Sequence, residues 1–441
     1  MNSISIKLLN HASVIIRYKQ ISLLSDPWYE GTCFWHGWGL QFINPDALSE
    51  AIKCSHLWIS HFHTDHLHMP TLKKVAQLNS SMIALSNASV NFDTREPLER
   101  AGFTNIHPLI ERQPTQLAEA FEVTRFPTTG VDNFLVIKVG GFSILNYNDC
   151  NLPESAFKRL IRKIGGIDVL LNNFNHAGKL VDSNRSPEQM MQECKRRYQK
   201  IVEIVRPRYA IPFASMHRYR SPYSQDQNQS LIPGHEIAKI IPNAIYLAFG
   251  DTVYFNGNAP ARIEKLSPAL QSCLPDQQVY TVTHTSLPVQ TGWQDLLIKA
   301  DLFRRKVQKE FFGFTFWIAP LHIRVEDLRK VLTIQFNKGV FEGTDQTPCH
   351  IATHSEALNH WFGYKYGTVD FHIGAHYKIN TENKWPLICT MLAGGLAENA
   401  LSPRSALRLF ISPGGWSFFK NRREEILAVL LGLKFNIESR L

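Results

Sequence analysis

The chain has 441 residues, of which 44% are hydrophobic and 19% are charged, and its formal net charge is +9. This length and balance are typical of a globular protein of at most about three domains, which can bury a core without disulfide staples. The basic charge is compatible with anionic partners, although a solvated basic surface is the simpler interpretation. The sequence has no dense basic tail and no RNA-binding motif, so we expect no nucleic-acid partner.

The cysteines and the hydropathy pattern indicate in which cellular compartment the protein is expected. Seven cysteines are scattered along the chain without a Cys-x-x-Cys pair, which argues against a disulfide framework and a thiolate zinc site. The first residues run directly into a strand pattern and lack the features of a signal peptide. No stretch approaches the roughly 20 apolar residues of a membrane span. We therefore expect a cytoplasmic protein.

The first part of the chain alternates strand and helix patterns. The aromatic, glycine-rich segment Trp28–Gly39 is predicted to be a loop, and a helix is predicted to begin at Pro70. Ser186 and Gln189 form a capping box around Pro187 and so predict a helix start. Its apolar face is predicted at Met191, Cys194, Tyr198, Ile201 and Val205. Strands are predicted at residues 4–9, Val14–Tyr18, Ile21–Leu24, His56–Ser60, Phe121–Phe126, Phe134–Val139, Phe142–Tyr147, Ile167–Asn172 and Tyr209–Phe213.

This alternation predicts an α/β fold, a mixed sandwich over residues 1–260. Residues 256–276 are rich in Gly, Pro, Asn and Ser and predict a linker. A C-terminal α+β domain is predicted over residues 276–441. Within it we expect strands around Phe371–Ile379, a turn near Gly414 and a last helix from about Asn421.

A histidine-rich string, His61-Phe62-His63-Thr64-Asp65-His66, follows an apolar run and precedes the helix at Pro70. Imidazole and carboxylate groups are suited to binding Zn, Fe or Mn. His61 and His63 alternate to the same side of an extended segment, whereas Asp65 and His66 follow in the turn and can face a second ion. A surface loop is the alternative, but the order of the string favours a site for one or two transition-metal ions.

The string H-x-H-x-D-H resembles the signature of the metallo-β-lactamase superfamily. The strings NHAS and SDPW are similar to the openings of N-acyl phosphatidylethanolamine phospholipase D and the ascorbate-phosphate lactonases. SDPW, ISHFHTDHLHMPTLKK, ILNYNDC and IPFAS resemble the metallo-β-lactamase part of CMP-N-acetylneuraminate hydroxylase, over roughly residues 5–250. The resemblance implies an αββα sandwich, with Zn or Fe held by His61, His63, Asp65 and His66.

The resemblance also implies ligands farther along the chain. Asp149 matches an aspartate that bridges two metals. The family has a histidine before the hairpin, but no histidine lies between Phe126 and Gly130. The last ligand is expected at His217, with His176 as the alternative. His11 and Asp26 are further candidates for metal or substrate contact, and for His11 a supporting hydrogen bond is favoured.

Substrate contacts are expected beside the metal edge. Trp28 and Trp35 in the aromatic loop are candidates for the pocket wall, because loops around the metal form the pocket in such sandwiches. Arg218 and Arg220 are candidates for holding a phosphate or carboxylate by bidentate hydrogen bonds. In the C-terminal region His372 and His376 are predicted to share one strand face with Lys378 and to be structural.

Three functions compete. Hydrolysis of a phosphoester, lactone or amide by a metal-bound water, with Asp65 and His66 as catalytic residues, is slightly favoured. The alternative is an iron oxygenase related to the hydroxylase. The sequence lacks the Cys and His pairs of a Rieske centre, so an oxygenase would need an electron donor. An interaction scaffold is the third reading. We expect a small, anionic substrate, with the C-terminal region shaping access to it or the interface of a homodimer.

Overall fold

The computed structural model describes residues 3–88, 93–128, 130–178, 185–265, 291–344, 346–412 and 414–430. Its strands are β1 (Ile4–Asn10), β2 (Ser13–Tyr18), β3 (Ile21–Ser25), β4 (Thr32–Cys33), β5 (Trp38–Leu40), β6 (His56–Trp58), β7 (Ile83–Asn87), β8 (Ile106–Leu109), β9 (Pro114–Ala118), β10 (Phe121–Pro127), β11 (Asn133–Val139), β12 (Phe142–Asn148), β13 (Val169–Asn172), β14 (Tyr209–Pro212), β15 (His217–Tyr219), β16 (Thr252–Phe255), β17 (Arg262–Glu264), β18 (Leu321–Val325), β19 (Lys330–Gln335), β20 (Gly339–Gly343), β21 (Ile351–Thr353) and β22 (Lys378–Ile379).

The helices are α1 (Ala47–Ala51), α2 (Met69–Leu78), α3 (Arg95–Ala101), α4 (Glu154–Ile164), α5 (Pro187–Val205), α6 (Gly234–Lys239), α7 (Trp293–Glu310), α8 (Ser355–Gly363), α9 (Gly367–Ile373), α10 (Trp385–Glu398), α11 (Pro403–Ile411) and α12 (Gly415–Leu430). A 3-10 helix spans Gln225–Ser230. Among the described residues, no helix is long and apolar enough to cross a membrane.

Two sheets face each other in the first region. One has the strand order β17-β16-β1-β2-β3-β6-β7-β8 and the other the order β14-β13-β12-β11-β10-β9. Alternate residues of β1, such as Ile4, Ile6 and Leu8, enter the core between the sheets. Helices α2 and α3 cover the outer face of the first sheet, and α4 and α5 that of the second. The predicted αββα sandwich is therefore confirmed.

Parallel pairing determines where the site forms. Strands β3, β6, β7 and β8 run parallel in the first sheet, as do β12, β13 and β14 in the second. The carboxyl ends of parallel strands meet at one edge, which is where α/β sheets bind ligands. Asp26, His61 and Asp149 each follow such an end, so residues distant in sequence come together at one edge of the sandwich.

The predicted helix start is confirmed in α5. Ser186 Oγ accepts a hydrogen bond from the Gln189 backbone N–H, and the Gln189 side chain accepts one from the Ser186 backbone N–H. The buried residues of α5 are Met190, Cys194, Tyr198 and Val205. Met191 and Ile201 are partly buried and also pack against the cores, so the predicted apolar face of α5 is confirmed.

The segment Trp28–Gly39 is not wholly a loop. Strands β4 and β5 form a hairpin that pairs with β15 in a small three-stranded sheet. Phe34, Trp35 and His36 turn the chain with φ values of 50°, 48° and 68°. This left-handed turn is uncommon for non-glycine residues, so surrounding contacts must hold it in place. His217 therefore lies in a strand, and the hairpin fixes its position.

The C-terminal region has its own sheet, in the order β20-β19-β18-β21-β22, packed against α7, α8 and α10. The predicted strands around Phe371–Ile379 were wrong for most of that span. Helix α9 extends to Ile373, and only Lys378–Ile379 form a strand. The Phe371 ring stacks on Trp361 with a centroid distance of 4.4 Å, and this packing favours the helix over the strand pattern. His372, His376 and Lys378 consequently do not share a strand face.

The last helix begins at Gly415, earlier than the predicted Asn421. The predicted linker lies partly outside the described residues, since residues 266–290 are not described, and its described part includes β17. The proposed division of the chain near residues 260–276 therefore stays a prediction.

Candidate metal centre

His61 and His63 form one group of ligand atoms together with Asp132. Their nitrogen and oxygen atoms all lie within 4.8 Å of one another, and His61 Nε2 is 2.8 Å from His63 Nδ1. Asp132 is buried and precedes β11, in the connection where the sequence offered no histidine. We did not predict Asp132. The sequence does place a carboxylate just after Phe126–Gly130, where we expected only a histidine as the ligand.

A second set of ligand atoms is centred on His66, which groups with His61 and Asp149 and also with His11 and Asp65. His66 Nε2 is 3.1 Å from Asp149 Oδ2 and 3.3 Å from Asp65 Oδ2. Asp149 also accepts a hydrogen bond from Asn173 Nδ2. Residues separated by 83 positions thus lie in direct contact. The structure brings Asp149 to the histidine string, as expected if it is a metal ligand.

The protonation states of His61 and His63 suit cation binding, whereas His66 would have to lose a proton to bind an ion. Burial lowers the pKa of His61 to about 4 and that of His63 to about 3, so both imidazoles are neutral at pH 7. Burial would also lower the pKa of His66, but the charges of Asp65 and Asp149 hold that pKa well above its usual value. The contact with His66 lowers the pKa of both carboxyls against the effect of burial. Neutral imidazole and ionised carboxylate are the forms that bind metal ions.

Asp26 orients two ligands from behind. Its Oδ2 accepts hydrogen bonds from His66 Nδ1 at 3.1 Å, Ser60 Oγ at 2.8 Å and Asn148 Nδ2 at 2.7 Å. The Ser60 hydroxyl donates its hydrogen bond to Asp26. Ser60 Oγ must therefore accept the hydrogen bond from His61 Nδ1. His61 therefore presents the lone pair of Nε2 to the cluster. Asp26 is fully buried, and its hydrogen bonds to His66 and Ser60 are of the kind that orient ligands in many metal sites.

His11 supports the site from another side. Its Nδ1 accepts a hydrogen bond from the Met216 backbone N–H at 3.2 Å, so the proton of the neutral ring is on Nε2. Nε2 then donates to Asp65 Oδ2 at 3.1 Å. The structure thus gives His11 the supporting hydrogen bond that the sequence favoured.

His217 is buried beside this cluster and lies flat against Trp38, with ring centroids 3.6 Å apart. Among the residues that the structure describes, neither of its ring nitrogens has a hydrogen-bond partner, and neither has Asp65 Oδ1. Such buried polar atoms are costly unless something binds them. Together with the imidazole and carboxylate donors of the two groups, these atoms fit a site for one or two transition-metal ions.

His176 lies outside these groups. Its Nε2 is 2.8 Å from Ser230 Oγ, its Nδ1 faces the Gly178 carbonyl oxygen, and its ring stacks on Tyr219. Both nitrogens are thus engaged within the first region, away from the two groups of ligand atoms. Of the two candidates for the last ligand, His217 has ring nitrogens without a hydrogen-bond partner among the described residues, whereas both nitrogens of His176 have one.

The substrate candidates differ in exposure. Trp28 is fully buried against His11, so it packs beneath the site and does not line an open pocket. Trp35 is partly exposed and stacks on His360 of the C-terminal region, with ring centroids 5.7 Å apart. Arg218 lies in β15 and Arg220 directly follows it, and both are partly exposed.

The C-terminal region also contacts the metal edge. Tyr366 stacks on Phe62, with ring centroids 4.0 Å apart. Phe62 lies between His61 and His63 in the sequence. His376 Nε2 donates to the Phe34 carbonyl oxygen at 2.8 Å, and Trp38 Nε1 donates to the Ile373 carbonyl oxygen at 3.0 Å. A Cβ on Gly37 would lie 2.3 Å from Gly374 Cα, so this close approach requires glycine. These contacts hold the β4–β5 hairpin against the second region.

No protein-family model matches the chain. The chain is 24% identical over 349 residues to the cytidine monophosphate-N-acetylneuraminic acid hydroxylase of Asterias rubens, covering 72% of this chain and 50% of that protein. It is 25% identical over 233 residues to the mouse (Mus musculus) hydroxylase, covering 48% of this chain and 39% of that protein. The chain thus spans about half the length of the curated relatives it matches, or less.

Among solved structures, a metallo hydrolase of Ignicoccus hospitalis overlaps 58% of this chain and 99% of its own, with a TM-score of 0.42 and 15% identity. A diiron beta-hydroxylase from Streptomyces venezuelae overlaps 60% of this chain and 54% of its own, with a TM-score of 0.39 and 15% identity. The curated relatives are the hydroxylases that the sequence motifs resemble, which confirms that resemblance. The comparisons therefore relate the chain in sequence to these hydroxylases, and its fold is the αββα sandwich described above.

Proposed function

We propose that this enzyme oxidises a small anionic substrate with dioxygen and that its metal is iron. One observation carries the proposal: Asp132 completes a set of two histidines and one carboxylate with His61 and His63. Such a set leaves coordination positions open and is the ligand set of many non-haem iron oxygenases, and the same set also holds catalytic zinc in some hydrolases. The similarity to curated hydroxylases supports the same choice.

The residues of the chain divide into three tasks. His61, His63 and Asp132 would hold one ion, and Asp65, His66, Asp149 and His217 the other. Asp26 and His11 would orient the ligands through the hydrogen bonds described above. When bound, iron supplies the activation of dioxygen.

In a hydroxylation one oxygen atom enters the substrate and the other leaves as water, so each turnover consumes two electrons and two protons. The electrons would come from a reductant, such as the chemical reductant used in the assay below. The partly exposed Arg218 and Arg220 follow the metal edge and suit a phosphate or carboxylate on the substrate. The relatives act on a nucleotide-linked sugar acid by name, which is also anionic.

Hydrolysis is the second candidate, and it rests on Asp65. Asp65 Oδ1 has no hydrogen-bond partner among the described residues, so it is available to position an attacking water. A metal-bound water with a lowered pKa would then attack a phosphoester, lactone or amide. This function requires no electron donor and is compatible with zinc in both groups.

The deciding experiment measures metal content and the visible spectrum of full-length protein purified without added metal. We expect one or two iron ions, visible absorption, and dioxygen consumption when a chemical reductant is supplied. The variant Asp132→His should keep the fold but lose dioxygen consumption, because three histidines replace the mixed set. Asp168→His, away from the site at the start of β13, is the control.

Two outcomes would overturn the oxygenase. One is zinc alone in the purified protein, without dioxygen consumption after iron is supplied. The other is an Asp132→His variant that consumes dioxygen at the wild-type rate. Turnover of a lactone or phosphoester by the zinc form would then establish the hydrolase.

A further inference from the structure

Three phenylalanines project from the turn that follows α7. Phe312, Phe314 and Phe316 are 51%, 66% and 77% exposed. Large aromatic side chains are normally buried for most of their surface, and contiguous exposed apolar patches mark interaction sites. More than half of each of these residues is therefore in contact with water.

Helix α11 and the start of α12 expose apolar residues in the same way. Leu407, Phe410 and Ile411 of α11 are 53%, 48% and 75% exposed, and Trp416 is 65% exposed. The Phe410 and Trp416 rings touch, with centroids 4.8 Å apart. Leu409 is the one buried residue of α11. This amphipathic helix thus has little of its apolar surface covered by the described residues.

The two segments meet at one corner of the C-terminal region. Ser402, the N-cap of α11, donates a hydrogen bond to Glu310 Oε2 at 2.6 Å, and Ser405 donates to the same oxygen at 3.2 Å. Glu310 is the last residue of α7 and directly precedes the phenylalanine turn. We call residues 312–316, 403–412 and 414–416 together the aromatic corner.

In the sequence, basic residues outnumber acidic ones around the aromatic corner, where the acidic residues are Glu310, Glu424 and Glu425. Residues 402–423 include Arg404, Arg408, Lys420, Arg422 and Arg423 but no Asp or Glu. Arg422 is buried and pairs with Glu111. Within the described part of the chain, Arg404, Arg408 and Lys420 form no ion pair. The local charge of the corner is therefore positive.

We propose that the aromatic corner docks the protein on an anionic lipid surface. Exposed aromatic rings at the level of the head groups, with basic residues facing anionic lipids, are the features of interfacial membrane binding. A second copy of the chain fits less well, because a self-complementary contact would bring together two surfaces of the same net positive charge. No described helix can span a membrane, so the contact is peripheral.

The test is co-sedimentation of full-length protein with vesicles of phosphatidylcholine alone or mixed with phosphatidylglycerol. We expect binding to the mixed vesicles, weakened by salt. The Phe314→Ser/Phe316→Ser double variant should lower the partition coefficient at least about tenfold, since each ring contributes through apolar burial. Arg404→Gln/Arg408→Gln should weaken binding to mixed vesicles only. Leu78→Ser, which changes a 57% exposed residue of α2, is the matched control.

Metal content of each variant, measured in parallel, separates a folding defect from a docking defect. The proposal is overturned if the wild-type chain does not bind mixed vesicles, or if the double variant binds as well as the Leu78→Ser control. It is also overturned if sedimentation shows a dimer that the double variant abolishes while vesicle binding is absent. That result would assign the corner to a second copy of the chain.

Discussion

The histidines of the two regions have opposite surroundings. In the first region His61, His63 and His66 lie among buried aspartates at the edge where parallel strands end. In the C-terminal region the rings of His322 and His350 stack on each other, with centroids 5.2 Å apart. Histidine number therefore does not predict a metal site. Convergence of carboxylates with imidazoles, imposed by strand ends, distinguishes the ligand cluster from packed histidines.

Two further C-terminal histidines have partners within the fold. His372 Nδ1 is 3.1 Å from the Tyr377 hydroxyl, and His376 donates to the Phe34 carbonyl oxygen. This agrees with the structural role that the sequence favoured for both.

The instructive exception is His360. Its Nε2 donates to Asp370 Oδ2 at 2.7 Å, which is shorter than the 3.1 Å between His66 Nε2 and Asp149 Oδ2. The two pairs share their chemistry, but His66 also has Asp65 and Asp26 nearby, whereas His360 is stacked between Trp35 and Tyr364. One carboxylate with one imidazole forms a hydrogen-bonded pair, whereas several of each offer enough donors for a metal ion.

The largest effect is expected from removing ligands of the first region. His61→Ala/His63→Ala should retain less than about a tenth of the wild-type metal, because both histidines of one ligand group are lost. Circular dichroism should show an intact fold. His322→Ala/His350→Ala, which removes the stacked pair of the C-terminal region, should keep full metal content. Stoichiometric metal in the first variant, measured by mass spectrometry, would show that the ligands lie elsewhere.

Asp149→Asn and Asp370→Asn compare the two histidine–carboxylate pairs directly. The substitution preserves shape but removes the negative charge. Asp149→Asn should weaken the second metal ion at least about tenfold and the first ion less, because the charge that faces His66 is lost. Asp370→Asn should leave both ions in place. Metal titration followed by calorimetry measures both affinities, and equal behaviour of the two variants would contradict a metal role for Asp149.

Tyr366→Ala tests whether the C-terminal region closes the metal edge. Loss of the stacking on Phe62 should leave metal content unchanged but speed metal release to an excess of chelator about threefold to tenfold, as expected for a lost aromatic pair. Tyr364→Ala removes a neighbouring tyrosine that stacks on His360 and provides the control. A release rate unchanged from wild type would mean that the second region does not restrict access.

The smallest effect concerns stability of the C-terminal region. Burial raises the pKa of Glu398 to about 7 from 4.5, although the carboxylate accepts hydrogen bonds from Thr368. The folded state then holds this proton more tightly than the unfolded state, so the free energy of unfolding falls as pH rises from about 4.5 to about 7.

Glu398→Gln should therefore lose part of this pH dependence, with a difference of a few degrees in Tm between acidic and neutral pH. Glu96→Gln, on the exposed side of α3, should behave like the wild-type chain. Parallel Tm-against-pH curves for wild type and Glu398→Gln would contradict a buried, proton-holding carboxyl.

The sequence by itself predicted the features that depend on residues close together in the chain. The string from His61 to His66 predicted the ligand types, and Ser186 with Gln189 predicted a helix start that the structure confirms. Both features depend on neighbours a few positions apart, where backbone geometry alone sets which side chains meet. The strands of the sandwich were predicted for the same reason, since alternation of apolar residues reflects a face that must be buried.

Tertiary structure alone decided which distant residues complete the site. Asp132 is an ordinary aspartate in sequence, and only the pairing of β10 with β11 brings it to His61 and His63. Packing of Phe371 on Trp361 made a helix where the local pattern favoured a strand, and this brought the segment of Tyr366 over Phe62. Contacts between residues hundreds of positions apart leave no periodic trace in the sequence, because they follow from how the sheets and the two regions pack together.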